Sequence, residues 1–178
     1  LNTAYASSGL VILVDDGVLI DAPIELVFIS STRLPTVTHP RNLIIAGNGS
    51  RVTLSERFVG PDSAEYWSNS VMEIIIGQGA IVSHRKIQLE STSAFHIART
   101  QVSLEEESSY KGFLASVGGH LSRNEIEIKF EGRNAECQLD GIYLAKDRQH
   151  VDITTRLVHS EEGGASRQVF KGVLDDRS

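Results

Sequence analysis

A turn signal recurs along this chain at nearly constant spacing. Runs such as Gly47-Asn48-Gly49, Gly77-Gln78-Gly79 and Glu105-Glu106-Glu107 each separate two short apolar segments. The small residues just after the turns are Ser50, Ala80, Ser108, Ala135 and Ala165, which lie 30, 28, 27 and 30 residues apart. One repeat therefore reads as strand, turn, strand and longer return. A period in this range marks a solenoid, in which no repeat buries its apolar face alone and each needs the next one stacked on it. A leucine-rich repeat would place Leu and Asn at fixed offsets, and those offsets are absent. An antiparallel sandwich would turn every 8 to 12 residues or so, about twice as often as this chain does. The pattern favours an all-β fold, a flattened parallel β-helix of about 27–30 residues per coil.

Composition agrees. Val and Ile together number 31, against 16 Leu and 12 Ala, and only 4 Pro interrupt the chain. Branched side chains lose little on a pleated surface and more in a helix. No stretch sustains a helical period. The segment from Arg57 to Ser68 reads as an irregular loop carrying Pro61 and Trp67, and Gln101 to Glu107 as a strand end that turns at the three glutamates. The run Met72-Glu73-Ile74-Ile75-Ile76 suits a strand buried on both faces.

The 178 residues suffice for one domain, residues 1–178. Seventeen basic against 23 acidic side chains leave a net charge of −6, which disfavours binding to nucleic acid or an anionic membrane. The one cysteine, Cys137, excludes an internal disulfide and any multi-cysteine metal centre built by this chain alone. No apolar run reaches the length of a membrane-spanning helix. Phosphate-loop, nucleophile-elbow and His-Glu-x-x-His motifs are missing. The chain opens at Leu1 within a strand-like pattern, so it is expected to be a core cut from a longer protein.

Three residues stand out as metal candidates. In His150-Val151-Asp152-Ile153-Thr154, the strand alternation puts His150, Asp152 and Thr154 on one face and the apolar residues on the other. A His next but one to an Asp can orient an imidazole for metal binding or proton transfer. The simpler reading is an exposed ladder bonded to neighbouring coils. His159 has the opposite parity, which weakens a site of all three. Cys137 shares the parity of Ala135 and Leu139 and is expected inside the coil as a small apolar residue. His84 shares the Val82 parity and reads as a core histidine with satisfied bonds. Tyr110-Lys111-Gly112 and Phe170-Lys171-Gly172 repeat one pattern 60 residues apart, the length of two coils. The acidic pairs Asp15-Asp16 and Asp175-Asp176 and the run Glu105 to Glu107 read as solvated turns, not as the convergent carboxylates of a glycosidase.

Several segments together resemble the SufB/SufD family of iron–sulfur cluster assembly proteins. They are Ser122-Arg123-Asn124, Glu131-Gly132 with Ala135-Glu136, Leu139-x-Gly141-x-Tyr143-Leu144-Ala145, and the His150, Asp152, Thr155, His159 series. Ser166-Arg167-x-x-Phe170-Lys171-Gly172-Val173-Leu174-Asp175-Asp176 fits as well. The early segments Leu1-Asn2-Thr3-Ala4, Asp21-x-Pro23 and Pro40-Arg41-Asn42-Leu43 are similar to the SufD side.

The resemblance implies a right-handed parallel β-helix with helical flanking regions outside the core. It implies a non-enzymatic scaffold subunit that pairs with a SufB-like paralogue and contacts a SufC-like ATPase through a docking region missing here. The iron–sulfur cluster would sit in the assembled complex, with no cofactor or metal on this fragment alone. The location implied is the cytoplasm, or the plastid stroma in a plastid-bearing source. Cut coils expose unpaired strand edges, so the isolated core is expected to self-associate, for instance as a homodimer. The competing function is a β-helix carbohydrate-binding or carbohydrate-active protein using His150 and Asp152.

Overall fold

The computed structural model describes residues 1–31 and 35–175. A short helix, α1 (Asn2–Tyr5), precedes the strands. One sheet holds β1 (Val11–Val14), β3 (Thr36–Thr38), β4 (Arg41–Ala46), β6 (Tyr66–Ile76), β8 (Phe95–Leu104), β10 (Leu121–Phe130) and β12 (His150–His159). The other holds β2 (Ile24–Ile29), β5 (Arg51–Val59), β7 (Ile81–Leu89), β9 (Ser109–Ser116), β11 (Glu136–Ala145) and β13 (Ala165–Leu174). From β4 onward the chain alternates between the sheets, and every pairing in both is parallel. This is a β-solenoid of about six coils.

The turn between the sheets shows why the repeat is so regular. Its third residue is left-handed in every coil: Gly17, Gly49, Gly79 and Gly163 have φ of 69°, 64°, 65° and 75°, and Glu107 and Asn134 have 56°. The turns bond to one another, as in Gly49 N–H to Gln78 O (2.8 Å) and Gly79 N–H to Glu106 O (2.9 Å). Asn48 extends this ladder with its side chain, accepting from the Gln78 N–H at 2.9 Å while its own N–H donates to Asp16 at 2.7 Å. A Cβ on Gly132 would collide with the Glu106 backbone nitrogen, so the approach of these coils demands glycine there. The following small residues Ser50, Ala80, Ser108 and Ala135 are buried, because each turn folds inward over them.

The interior has two halves. Beside the turn just described, Ile44, Ile74, Val102 and Ile128 stack in one row, and Ala46, Ile76, Leu104 and Phe130 in the next. Each fully buried Ile or Leu contributes roughly 1.5–3 kcal/mol. Towards the opposite edge the inward positions turn polar, with Ser68, His96 and Ser122 in one row facing Gln88 and Ser116 in the other sheet.

Some local expectations change. Arg57 to Ser68 is not one loop: β5 runs to Val59 and β6 starts at Tyr66, leaving only the turn around Pro61. Strand alternation outweighed the Pro because it sits between strands. Ile75 is 41% exposed, so the Met72–Ile76 run is buried on one face only. The two aromatic-Lys-Gly segments lie in one sheet but out of register, since Tyr110 aligns through Cys137 with Ser166, and Phe170 aligns through Gly141 with Leu114. The Phe170 ring instead fills the space over Gly141. Asp15, Asp16 and Glu105 to Glu107 are exposed as expected, as is Asp175, while Asp176 lies outside the described residues.

Candidate functional site

His150, Asp152 and Thr154 share the outward face of β12, as the alternation requires. Asp152 is held in place: Arg123 Nε on the neighbouring coil donates to Oδ2 at 2.8 Å, and Thr154 Oγ1 donates to Oδ1 at 3.4 Å. His159 faces inward in the last described coil, stacked on the Phe130 ring at 4.0 Å and 11°. Ser166 Oγ lies 3.4 Å from its Nε2. The fold thus places His150 and Asp152 together and His159 on the opposite side of the sheet. Among the described residues no group of three or more His, Cys, Asp or Glu is arranged around a common metal position.

The outward carboxylates of the first sheet are each met by an arginine. Arg41 pairs with Glu73, Arg99 lies 2.7 Å from Glu127 and 3.9 Å from Glu125, and Arg156 lies 3.7 Å from Glu127. An arginine beside a carboxylate favours its charged form, whereas a glycosidase needs one acid held protonated.

The densest chemistry lies inside the coil. β5 turns Val52, Leu54, Glu56 and Phe58 inward, and β7 turns Val82, His84, Lys86 and Gln88 inward. His84 Nε2 lies 2.9 Å from Glu56 Oε2, and its Nδ1 lies 2.9 Å from the Tyr110 hydroxyl. A carboxylate only accepts, so Nε2 carries the proton, while Nδ1 and the tyrosine hydroxyl share a hydrogen bond. One histidine thereby bonds across three successive coils. Lys86 sits with its ammonium 4.9 Å from the Phe58 ring centre. Glu90 accepts from Ser68 at 2.8 Å and from Gln88 at 3.2 Å. His96 Nδ1 approaches Glu90 Oε2 to 2.7 Å. The alignment falls short of a good hydrogen bond, so this is a close polar contact. Glu56, His84, Lys86, Glu90 and His96 are each between 0% and 6% exposed.

Burial acts on each member, and the neighbours answer it. Burial alone would raise the Glu56 carboxyl. The His84 hydrogen bond and charge, with Lys86 and His96, overcome it and hold the group below its ordinary value. Glu90 is likewise held low against burial, by His96, Ser68 and Gln88. Burial lowers Lys86, partly opposed by Glu56 and Glu90. Burial, with Lys86 nearby, lowers His96. The cluster can hold charge and share protons among coils while staying out of water. Glu56 Oε1 and His96 Nε2 have no hydrogen-bond partner and retain unused bonding capacity.

Cys137 is 4% exposed beside Tyr110, and burial pushes its thiol up to about 12. His84 is the satisfied core histidine that its parity indicates. Sequence reasoning missed the rest of the cluster. The available signal was Glu56 and Lys86 on the same parity as Val52, Leu54 and Val82.

The sequence profile described as "SUF system FeS cluster assembly, SufBD core domain" matches residues 27–178. The chain is 31% identical over 182 residues to "Protein ABCI7, chloroplastic" of Arabidopsis thaliana, covering 98% of this chain and 38% of that protein. It is 26% identical to an iron–sulfur cluster assembly SufBD family protein of Synechocystis, covering 99% and 41%. It is 22% identical to the iron–sulfur cluster assembly protein SufD of Escherichia coli, covering 78% and 33%. The chain therefore spans about two fifths or less of the length of these relatives.

Proposed function

The chain belongs to the SufBD core family of iron–sulfur cluster assembly proteins, and from that premise we propose that it is the β-solenoid core of a non-catalytic scaffold subunit in a SufBCD-type complex. In this reading the core pairs with a SufB-like paralogue, and a SufC-like ATPase docks on helical regions that flank it in the full protein. ATP hydrolysis belongs to that ATPase, in keeping with the missing phosphate loop here. The nascent iron–sulfur cluster is the cargo. With one thiol, buried and held protonated, this core leaves most cluster ligands to its partner. His150, Asp152 and His159 stay outside any metal site of the core, and the 178 residues act as one domain. The complex works in the cytoplasm, or in the plastid stroma of a plastid-bearing source.

The observation that carries this reading is the family match over residues 27–178, laid on a solenoid of two parallel sheets. The test is depletion of the full-length protein in its own host. Iron–sulfur enzymes such as aconitase should lose activity and regain it on re-expression. Undiminished cluster enzymes after complete depletion contradict the proposal.

A further inference from the structure

The polar half of the interior holds three buried groups with bonding capacity to spare. Glu56 Oε1 and His96 Nε2 have no hydrogen-bond partner, and their residues are 1% and 0% exposed. Lys86 is the register neighbour of Glu56, on β7 beside β5. Among the described residues its ammonium is nevertheless in no ion pair and no hydrogen bond. Phe58 adjoins all three. The Lys86 ammonium lies 4.9 Å from its ring centre and the His96 ring centre 4.8 Å, and Glu56 precedes it on the inward face of β5.

The other contacts of each group fix whether it donates or accepts. The neighbours of Glu56 outweigh its burial and keep it ionised, so Oε1 only accepts. His96 Nδ1 lies 2.7 Å from Glu90 Oε2, too close for a bare lone pair to face a carboxylate, so Nδ1 carries the proton. Burial, with Lys86 nearby, keeps the ring neutral and leaves Nε2 an acceptor. The ammonium only donates. Two acceptors and one donor thus share a space cut off from bulk water, where an unmade bond is expensive.

The occupant of that space must accept from an ammonium and donate to an oxygen and a nitrogen. A metal cation would face the Lys86 charge, and among the described residues no three His, Cys, Asp or Glu surround a common position. An anion would face Glu56 and Glu90, both held ionised. Water meets all three demands, and a buried water typically makes about three hydrogen bonds. There is room for it. Lys86 points inward yet is 6% exposed, so a water-sized sphere fits against it. A cavity of about 140 Å³, lined in part by Phe28, Phe58, Thr38 and Ser68, adjoins the cluster, and its Ser68 hydroxyl donates to Glu90 at 2.8 Å.

We propose that Glu56, Lys86 and His96 enclose an ordered water that accepts from Lys86 Nζ and donates to Glu56 Oε1 and His96 Nε2. This water joins two chains of polar contacts. Tyr110, His84 and Glu56 form one along the second sheet, and Ser68, Glu90 and His96 form the other against the first. Bridged, they make one network across the interior from sheet to sheet. The proposal does not depend on the iron–sulfur reading, because it rests on interior residues alone.

The experiment is a crystal structure of the full-length protein at neutral pH and about 1.5 Å resolution, with anomalous data for transition metals. The expected result is a single peak without anomalous signal, about 2.7–3.2 Å from Lys86 Nζ, Glu56 Oε1 and His96 Nε2. A direct Lys86–Glu56 hydrogen bond in its place overturns the proposal, as does an anomalous peak, a polyatomic anion, an empty site or a water touching only one of the three. In solution, nitrogen-15 spectra of the histidine-labelled protein, with the His96 signals identified by their loss in His96→Gln, should show the proton on Nδ1 and a hydrogen-bonded, unprotonated Nε2. A proton on Nε2 overturns the proposal without need of crystals.

Discussion

His84 Nε2 lies 2.9 Å from the Glu56 carboxylate one coil away, with both side chains almost wholly buried. Removing one partner strands the other as an uncompensated group, which typically costs about 3–5 kcal/mol. His84→Ala should therefore lower unfolding free energy by about 3 kcal/mol in urea titration, counting the lost Tyr110 bond as part of that cost. Glu56→Leu combined with His84→Leu should lose less than His84→Ala alone, because neither member of the pair is then stranded and Lys86 keeps Glu90. A loss in the double variant equal to the sum of the two single losses would show the pair to be independent.

Acid should unfold the protein in two stages. His96 is held below its ordinary 6.5 by burial, so the folded state binds fewer protons there than the unfolded state. Its stability contribution is present above 6.5 and is lost as pH falls through the lowered folded value. Glu56 and Glu90 are held below 4.5, so their contribution is present above 4.5 and lost as pH falls further. Thermal scans should show Tm falling gently below about pH 6.5 and steeply below about pH 4.5. In Glu90→Gln the steep limb should flatten. An unchanged limb would place the acid sensitivity elsewhere.

The buried half of this chemistry was only partly legible in the sequence. The coil length and the direction of Cys137 and His84 follow from turn spacing and parity, which are local. Glu56 and Lys86 are charged residues on an apolar parity, and their neutralising partners lie on adjacent coils. His84 is 28 residues from Glu56, so no short window contains the pair. The same distance explains Asp152, whose arginine partner is 29 residues earlier. The outward Ile75 read as core because Ile is equally good on either face of a strand. The turn residues Glu107 and Asn134 gave no glycine signal, yet stacking forces them into the left-handed region.

Those turns supply a test of the coil geometry. Glu107 has φ of 56° at the position that glycine fills in the coils of Gly49 and Gly79. Glu107→Gly should leave stability unchanged or raise it by up to about 1 kcal/mol, since it removes a Cβ penalty. Gly79→Ala should cost about 1–2 kcal/mol by the same reasoning. Calorimetric Tm values of the two variants should move in opposite directions, or only the second should move.

Cys137 should be chemically silent in the folded protein. Its thiol is pushed up to about 12 and is 4% exposed, so at about pH 8 almost no thiolate is present to react. An aromatic disulfide reagent should label it only at the rate of unfolding, and at once in denaturant. Rapid labelling of the native protein would mean that the coil opens at β11.

The central claim is that this core serves in a cluster-assembly complex. The most direct measurement is native mass spectrometry of the full-length protein purified anaerobically from its own host. The account predicts a hetero-oligomer containing a SufB-like paralogue and a SufC-like ATPase in defined stoichiometry. Recovery of the full-length protein alone, with both candidate partners present in the same extract, would contradict it.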